Sequence, residues 1–324
     1  MRLRRSDCGG PGVRRVRRGR GFSYVDADGN PVDPETVDRI RNLVIPPAWR
    51  EVWICPHANG HIQAVGFDDA GRKQYVYHAE WRRRRDAEKH DRVLELAERL
   101  PAVRKKIRDD LVSPGMTGER VLAGALWILD RGVFRTGGEE YAEENDSHGV
   151  TTLLRGHVRL RGGELRFRFP AKSGVERVAV IRDAELARLI AALRRGRADH
   201  ERLFAYRDGR GVRRELTARD VNERFKELAG AEFTVKDMRT WTATVLAAAE
   251  FAALGPATSK RAHKRAEASV MKAVAEQLGN TPAVARRSYV DPRVVDRFAD
   301  GHTIDPHSGD REVIERAVLR LLRG

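Results

Sequence analysis

Polar and apolar positions alternate through the first quarter of the chain. Gly21–Val25 predicts a strand, Asp26-Ala27-Asp28-Gly29-Asn30 a turn, and Trp53–Cys55, His61–Phe67 and Arg72–His78 strands of a small sheet. The last two strands join through Asp68-Asp69-Ala70-Gly71, whose residue types favour a tight reversal. After Trp81 the apolar period lengthens. Val93, Leu96, Ala97 and Leu100 recur at helical spacing, Pro101 interrupts, and Val103 and Ile107 resume. Glu119–Val133 predicts a second helix, buried through Leu122, Ala125, Leu126 and Leu129. Thr151–Leu154, His157–Arg161, Glu164–Phe169 and Val175–Ile181 return to β character, with Gly162-Gly163 and Lys172-Ser173-Gly174 as turns. Helices are predicted next at about Asp183–Arg195, Thr217–Ala229, Lys236–Leu254 and Ser259–Leu278. The Arg82–Arg85 block reads as a solvated hinge and sets a domain boundary near residues 85 to 90. The expected organisation is a disordered arm over 1–20, a β-rich domain over 21–88, and a mostly helical domain over 89–324. That last domain carries a β insertion at about 151–181.

Composition then narrows the partner. The 324 residues carry a net charge of +15 and a pI of about 10.3, enough chain for two domains and a large core. Such a charge suits a polyanion, nucleic acid first and an anionic membrane surface second. The sequence contains no run of eighteen apolar residues, signal peptide or lipidation motif, which favours a soluble intracellular protein over a membrane one. Residues 1–20 are rich in Arg and Gly and poor in apolar residues, the basis for expecting a disordered, phosphate-binding arm. Cys8 and Cys55 are too few for a disulfide framework or a four-cysteine zinc site.

Candidate chemistry centres on one segment near the end. Gly279-Asn280-Thr281-Pro282 predicts a helix start, with Thr281 as cap and Pro282 in the first turn. Arg286-Arg287-Ser288-Tyr289 then places a tyrosine at the end of two basic turns, either a core-closing phenol or a nucleophile for a phosphodiester. In the strand Arg72–His78, alternation puts Lys73, Tyr75 and Tyr77 on one face. That stripe fits either a phosphate backbone or an aromatic cover for the sheet. No Gly-x-x-x-x-Gly-Lys-Ser/Thr loop or Gly-x-Ser-x-Gly elbow occurs. No spaced ligand set predicts a catalytic metal: Glu143, Glu144 and Asp146 read as a solvated turn, and His57 and His61 as loop histidines.

Four elements together carry a resemblance: Phe134-Arg135-Thr136-Gly137, Lys172 at a hairpin tip, Lys236-Asp237-Met238-Arg239-Thr240, and Asn280 through Tyr289. Ile45-Pro46-Pro47-Ala48-Trp49, Gly71-Arg72-Lys73-Gln74-Tyr75-Val76-Tyr77-His78 and Tyr141-Ala142-Glu143-Glu144-Asn145 extend it over about residues 22 to 295. In order and spacing the set resembles the type IB DNA topoisomerases, specifically their small poxvirus-like bacterial branch. The resemblance implies an α+β fold in which a small β-rich domain and a larger helical catalytic domain, of the tyrosine recombinase/type IB topoisomerase type, close around double-stranded DNA as a monomeric clamp. It implies ATP-independent relaxation of supercoils through a 3′-phosphotyrosyl intermediate on Tyr289. Arg135 and Arg239 would hold the nonbridging oxygens, Lys172 would be the general acid, and Lys236 would assist it. Asn280 stands where most members carry histidine, and can donate a hydrogen bond without carrying charge. Lys73, Tyr75, Tyr77 and Tyr141 would meet DNA. No cofactor is required on this reading, magnesium at most stimulating turnover, and the expected location is cytoplasmic, on the nucleoid. A tyrosine recombinase shares the catalytic set but would carry a helical amino-terminal domain. A nonenzymatic chromatin-type binder explains the charge and not the ordered motifs.

Overall fold

The computed structural model describes residues 2–131, 134–139, 147–171, 174–196, 198–305 and 309–324. They fall into two units, Met1–Lys89 and His90–Gly324. In the first, the alternating segments form a five-stranded antiparallel sheet in the order β2-β1-β3-β4-β5. Its strands are β1 (Val13–Arg18), β2 (Gly21–Val25), β3 (Arg50–Ile54), β4 (Ile62–Phe67) and β5 (Lys73–Tyr77). Val13, Val52, Ile54 and Ala64 bury one face together with Ile40 of helix α1 (Pro34–Asn42). Asp33 caps that helix by accepting the Thr36 amide at 2.8 Å.

The basic segment 1–20, expected to be a disordered arm, instead contains β1. Its backbone is paired on both sides, with β2 and with β3. Further toward the terminus, the Arg4 amide donates to the Asn59 carbonyl and the His61 amide to the Arg4 carbonyl, each at 2.9 Å. Trp53 Nε1 donates to the Gly10 carbonyl at 3.1 Å. Low apolar content misleads here because two neighbouring strands satisfy the backbone while Arg15 finds partners of its own. Arg15 covers the Phe22 ring at 4.2 Å and donates to the carbonyls of Pro46 and Trp49 at 3.1 and 2.6 Å.

Helix α2 (Ala79–Val112) passes through Pro101 without a break, correcting the expected interruption. Proline forfeits one backbone hydrogen bond, but Leu96, Ala97, Leu100, Val103 and Ile107 are all buried along one side, and that packing prevails. The Arg82–Arg85 block lies inside α2 rather than in a hinge, with Arg84 paired to Glu80 at 3.1 Å and Arg85 to Glu88 at 2.9 Å.

In the second unit, α3 (Gly118–Asp130) leads toward a three-stranded antiparallel sheet of β6 (Val158–Arg161), β7 (Glu164–Pro170) and β8 (Glu176–Arg182). Thr151–Leu154 is not a strand: Val150–Thr152 makes a tight 3-10 turn, closed by the Gly149 amide on Thr152 Oγ1 at 2.9 Å. Next come α4 (Ala184–Arg194), a hairpin of β9 (Ala205–Arg207) and β10 (Arg213–Glu215), and α5 (Ala218–Ala229). The remaining helices are α6 (Val235–Leu254), α7 (Lys260–Leu278), α8 (Pro282–Ser288), α9 (Pro292–Ala299) and α10 (Arg311–Arg323). Trp241, Phe134, Phe167, Phe204, Phe225, Phe233 and Phe251 fill the core. Arg104 of α2 and Arg311 of α10 both bond Asp130 at the end of α3, at 2.9 and 2.8 Å, which ties the last helix to the core. Burial alone would raise the Asp130 carboxyl, yet the two guanidiniums hold it below the usual carboxylate range. An N-terminal sheet followed by a helical core makes the fold mixed α and β. Among the described residues no helix is long and apolar enough to cross a membrane.

Candidate active site

The site grows from the end of α7. Gly279 takes the left-handed conformation (φ 61°, ψ 50°) that glycine adopts without steric cost. The Asn280 amide then reaches back to the Ala275 carbonyl at 2.9 Å, closing the helix and aiming the chain into α8. Thr281 caps α8, accepting the Val284 amide at 3.3 Å, and Pro282 fills its first turn. After two turns Tyr289 ends the helix, its amide on the Ala285 carbonyl at 3.1 Å. Its partly buried ring packs against the core. Thr244 of α6 fixes the exit by accepting the Asp291 amide at 3.1 Å.

Three arginines from different elements converge on carbonyls at the C-terminal end of α7 and in the turn that follows it. Arg177 of β8 donates to Glu276 O at 2.8 Å and to Gln277 O. Arg239 of α6 donates to Leu278 O and, at 3.1 Å, to Phe134 O. Arg135 donates to Gly279 O at 3.0 Å and to Asn280 Oδ1. Unpaired carbonyls and the negative end of the helix dipole are the natural holders of such cations. Arg239 is only 6% exposed, and its Cζ lies 5.5 Å from the Tyr289 ring centroid. Burial pushes the Arg239 guanidinium down to about 10, with Arg135 and Arg177 pushing the same way and Tyr289 opposing. It therefore stays cationic at neutral pH. Asn280 Nδ2 is a buried donor with no hydrogen-bond acceptor among the described residues. Beside this cluster lies a cavity of about 450 Å³ lined by Arg135, Phe169, Arg177, Asn280 and Thr281, among others.

Arg135 owes its place to a close backbone approach. The Val150 and Thr151 amides bond the Arg135 and Thr136 carbonyls, both at 2.8 Å. A Cβ at Gly149 would stand 2.4 Å from the Gly137 nitrogen, so only glycine fits there.

The structure thus gathers Arg135, Arg239, Asn280 and Tyr289. Lys236 is exposed in the first turn of α6, and among the described residues no hydrogen bond or ion pair joins its side chain to the cluster. Its neighbour Asp237 is occupied, accepting from the Thr234 amide at 2.9 Å and from Arg92 at 2.8 Å. Lys172 and Tyr141 lie outside the described residues, as do Glu143, Glu144 and Asp146. In the first unit, Lys73, Tyr75 and Tyr77 share an exposed face of the edge strand β5. The two rings stack at 5.8 Å, with Lys73 Nζ 5.9 Å from the Tyr75 centroid. Among the described residues no group of three or more His, Cys, Asp or Glu side chains is arranged to hold a metal. His61 is engaged locally, its Nδ1 accepting the Ser6 amide at 2.9 Å and its ring packing edge-on against Trp81. Arg177 was not singled out by its sequence. Among 62 lysines and arginines, no local motif marks it.

A cluster of this composition, on a helical unit that follows an N-terminal sheet in the chain, has known counterparts. Residues 78–302 match the eukaryotic DNA topoisomerase I catalytic core, and residues 21–68 the N-terminal domain of bacterial DNA topoisomerase IB. The chain is 33% identical over 290 residues to DNA topoisomerase 1B of Acanthamoeba polyphaga mimivirus, covering 86% of this chain and 85% of that protein. It is 25% identical over 250 residues to DNA topoisomerase 1B of Vaccinia virus, covering 74% of each. DNA topoisomerase 1 beta of Arabidopsis thaliana shares 26% over 162 residues, 49% of this chain and 16% of that protein. The chain belongs to the type IB DNA topoisomerase family.

Proposed function

We propose that the protein relaxes supercoiled double-stranded DNA by cutting one strand, letting it rotate and resealing it, with Tyr289 as the nucleophile. The observation that carries this reading is the convergence of Arg135, Arg239 and Asn280 on one helix end, with Arg239 over the Tyr289 ring. The Tyr289 oxygen forms a bond to phosphorus, the phosphorus–O5′ bond breaks, and the phenolic proton passes to solvent. Arg135 and Arg239 exchange carbonyl partners for the nonbridging oxygens, where a planar fork of donors matches the developing charge. Asn280 Nδ2, with no acceptor among the described residues, donates a further hydrogen bond. Lys172 protonates the leaving O5′, a role open to lysine and closed to arginine, and Lys236 supports it. The phosphotyrosyl ester keeps the energy of the broken bond, so the 5′-hydroxyl reseals the strand without ATP.

The face of Lys73, Tyr75 and Tyr77 supplies backbone contacts, as does Tyr141, and the two units act as a monomeric clamp of the tyrosine recombinase/type IB topoisomerase type. Magnesium affects release of DNA rather than the chemistry. The working location is the nucleoid. Incubation with plasmid carrying no recombination site tests the reading. Relaxation of positive and negative supercoils in EDTA without nucleotide is expected; strict dependence on ATP or a divalent ion would overturn it, and binding without relaxation would leave a DNA-binding protein only.

A further inference from the structure

Arg177 stands apart from the other two arginines of the cluster. It is the second residue of β8, directly opposite Phe169 of β7 in the strand register. Phe169 is buried and stacks on Phe134 at 5.6 Å, next to Arg135 in the chain. The same hairpin therefore meets the site twice, once through an aromatic stack on Phe134, the chain neighbour of Arg135, and once through a guanidinium on the end of α7. The connection between β7 and β8 is closed by the Ala171 amide on Val175 O at 2.9 Å and the Gly174 amide on Ala171 O at 3.0 Å. Lys172 falls within this connection in the sequence.

Holding two carbonyls does not by itself call for a third arginine. Burial pushes the Arg177 guanidinium below its ordinary value, and Arg135 pushes it further. Among the described residues no ion pair joins it to a carboxylate. What a guanidinium adds over a neutral donor is reach and a rigid planar fork that spans two successive carbonyls, Glu276 O and Gln277 O. Those carbonyls directly precede the turn that presents Asn280.

We infer that Arg177 is a positioning residue for the leaving-group step: it pins the turn end of the β7–β8 hairpin to the carboxyl end of α7, beside the turn that presents Asn280. The inference rests on the reading of Lys172 as general acid. Arg177 itself touches carbonyls and no reacting atom. A misplacement of about 1 Å costs on the order of a hundredfold in rate, so loss of the pin should be visible in chemistry while DNA affinity holds.

Single-turnover cleavage by Arg177→Ala, Arg177→Lys and Lys172→Ala tests this, on ordinary DNA and on DNA whose scissile 5′-bridging oxygen is sulfur. A thiol ionises near pH 8.5, so a thiolate leaves without a proton donor. Arg177→Ala should cleave ordinary DNA about ten- to a hundredfold slower, recover most of that loss on the sulfur substrate, and keep its noncovalent affinity and salt slope. Arg177→Lys should fall between Arg177→Ala and the parent. Recovery by Lys172→Ala alone, with Arg177→Ala equally slow on both substrates, overturns the inference and leaves the general acid standing. A salt slope reduced by roughly one in Arg177→Ala also overturns it, making Arg177 a phosphate contact. Failure of Lys172→Ala to recover overturns the general-acid reading and the inference with it. Should Arg177→Ala melt below the assay temperature, Arg177→Lys carries the comparison, and unchanged cleavage in it with no sulfur effect counts against the proposal.

Discussion

Arg239 and Asn280 show how a side chain's environment fits it to one task. A guanidinium held in a buried position, and pushed downward by two neighbouring arginines, gains from any anion that arrives between them. Arg239→Ala or Arg135→Ala should therefore lower the single-turnover cleavage rate by about a hundredfold or more, the usual loss when one preorganised oxyanion donor is removed. Asn280 contributes a buried amide donor and no charge. Asn280→Ala should cost less than either arginine, and Asn280→His should remain active. A dead histidine variant, in the same assay, would contradict the shared role of the position. These residues were readable from their motifs. Arg177 was not, because its role depends on facing Glu276 and Gln277, about a hundred positions away in the chain.

The elements that carry the site were legible where local chemistry dictates them. Thr281-Pro282 starts α8 as its cap and first turn, and Gly279 ends α7 in the left-handed conformation. Legibility failed where tertiary contacts override local preference. Pro101 sits in an unbroken helix because its neighbours are buried, and the arginine-rich β1 is ordered by strands on either side. Thr151 and Thr152 have strand-forming side chains, yet hydrogen bonds around Gly149 bend them into a turn against the Arg135 segment. That turn makes a specific prediction. Gly149→Ala forces a methyl onto the Gly137 backbone, an overlap only a backbone shift can relieve. It should destabilise the protein by roughly 1–3 kcal/mol in urea unfolding and displace Arg135, reducing cleavage beyond any loss of folded protein. Parent-like stability and cleavage would show that the approach does not position Arg135.

Across the whole molecule, a net charge of +15 provides attraction to any polyanion, so affinity alone cannot identify the function. Salt dependence is more informative. If the exposed face of β5 meets the DNA backbone, Lys73→Ala should weaken noncovalent binding and reduce the salt slope by about one. Unchanged binding with lower thermal stability would assign Lys73, Tyr75 and Tyr77 to covering the sheet. The N-terminal sheet and helical core were visible in the alternating and helical periods, and Arg135, Arg239, Asn280 and Tyr289 in the ordered motifs, whereas the pairing of β1 and the place of Arg177 beside them required the folded chain. The central claim is that Tyr289 becomes covalently joined to DNA. The most direct measurement is to denature the enzyme during reaction with duplex DNA, isolate the adduct, and locate the modified residue by mass spectrometry of the peptides. The account predicts a 3′-phosphoryl DNA strand on Tyr289 and no adduct with Tyr289→Phe, which should still bind duplex DNA. An adduct that persists in Tyr289→Phe, or that maps to another tyrosine such as Tyr206, would contradict it.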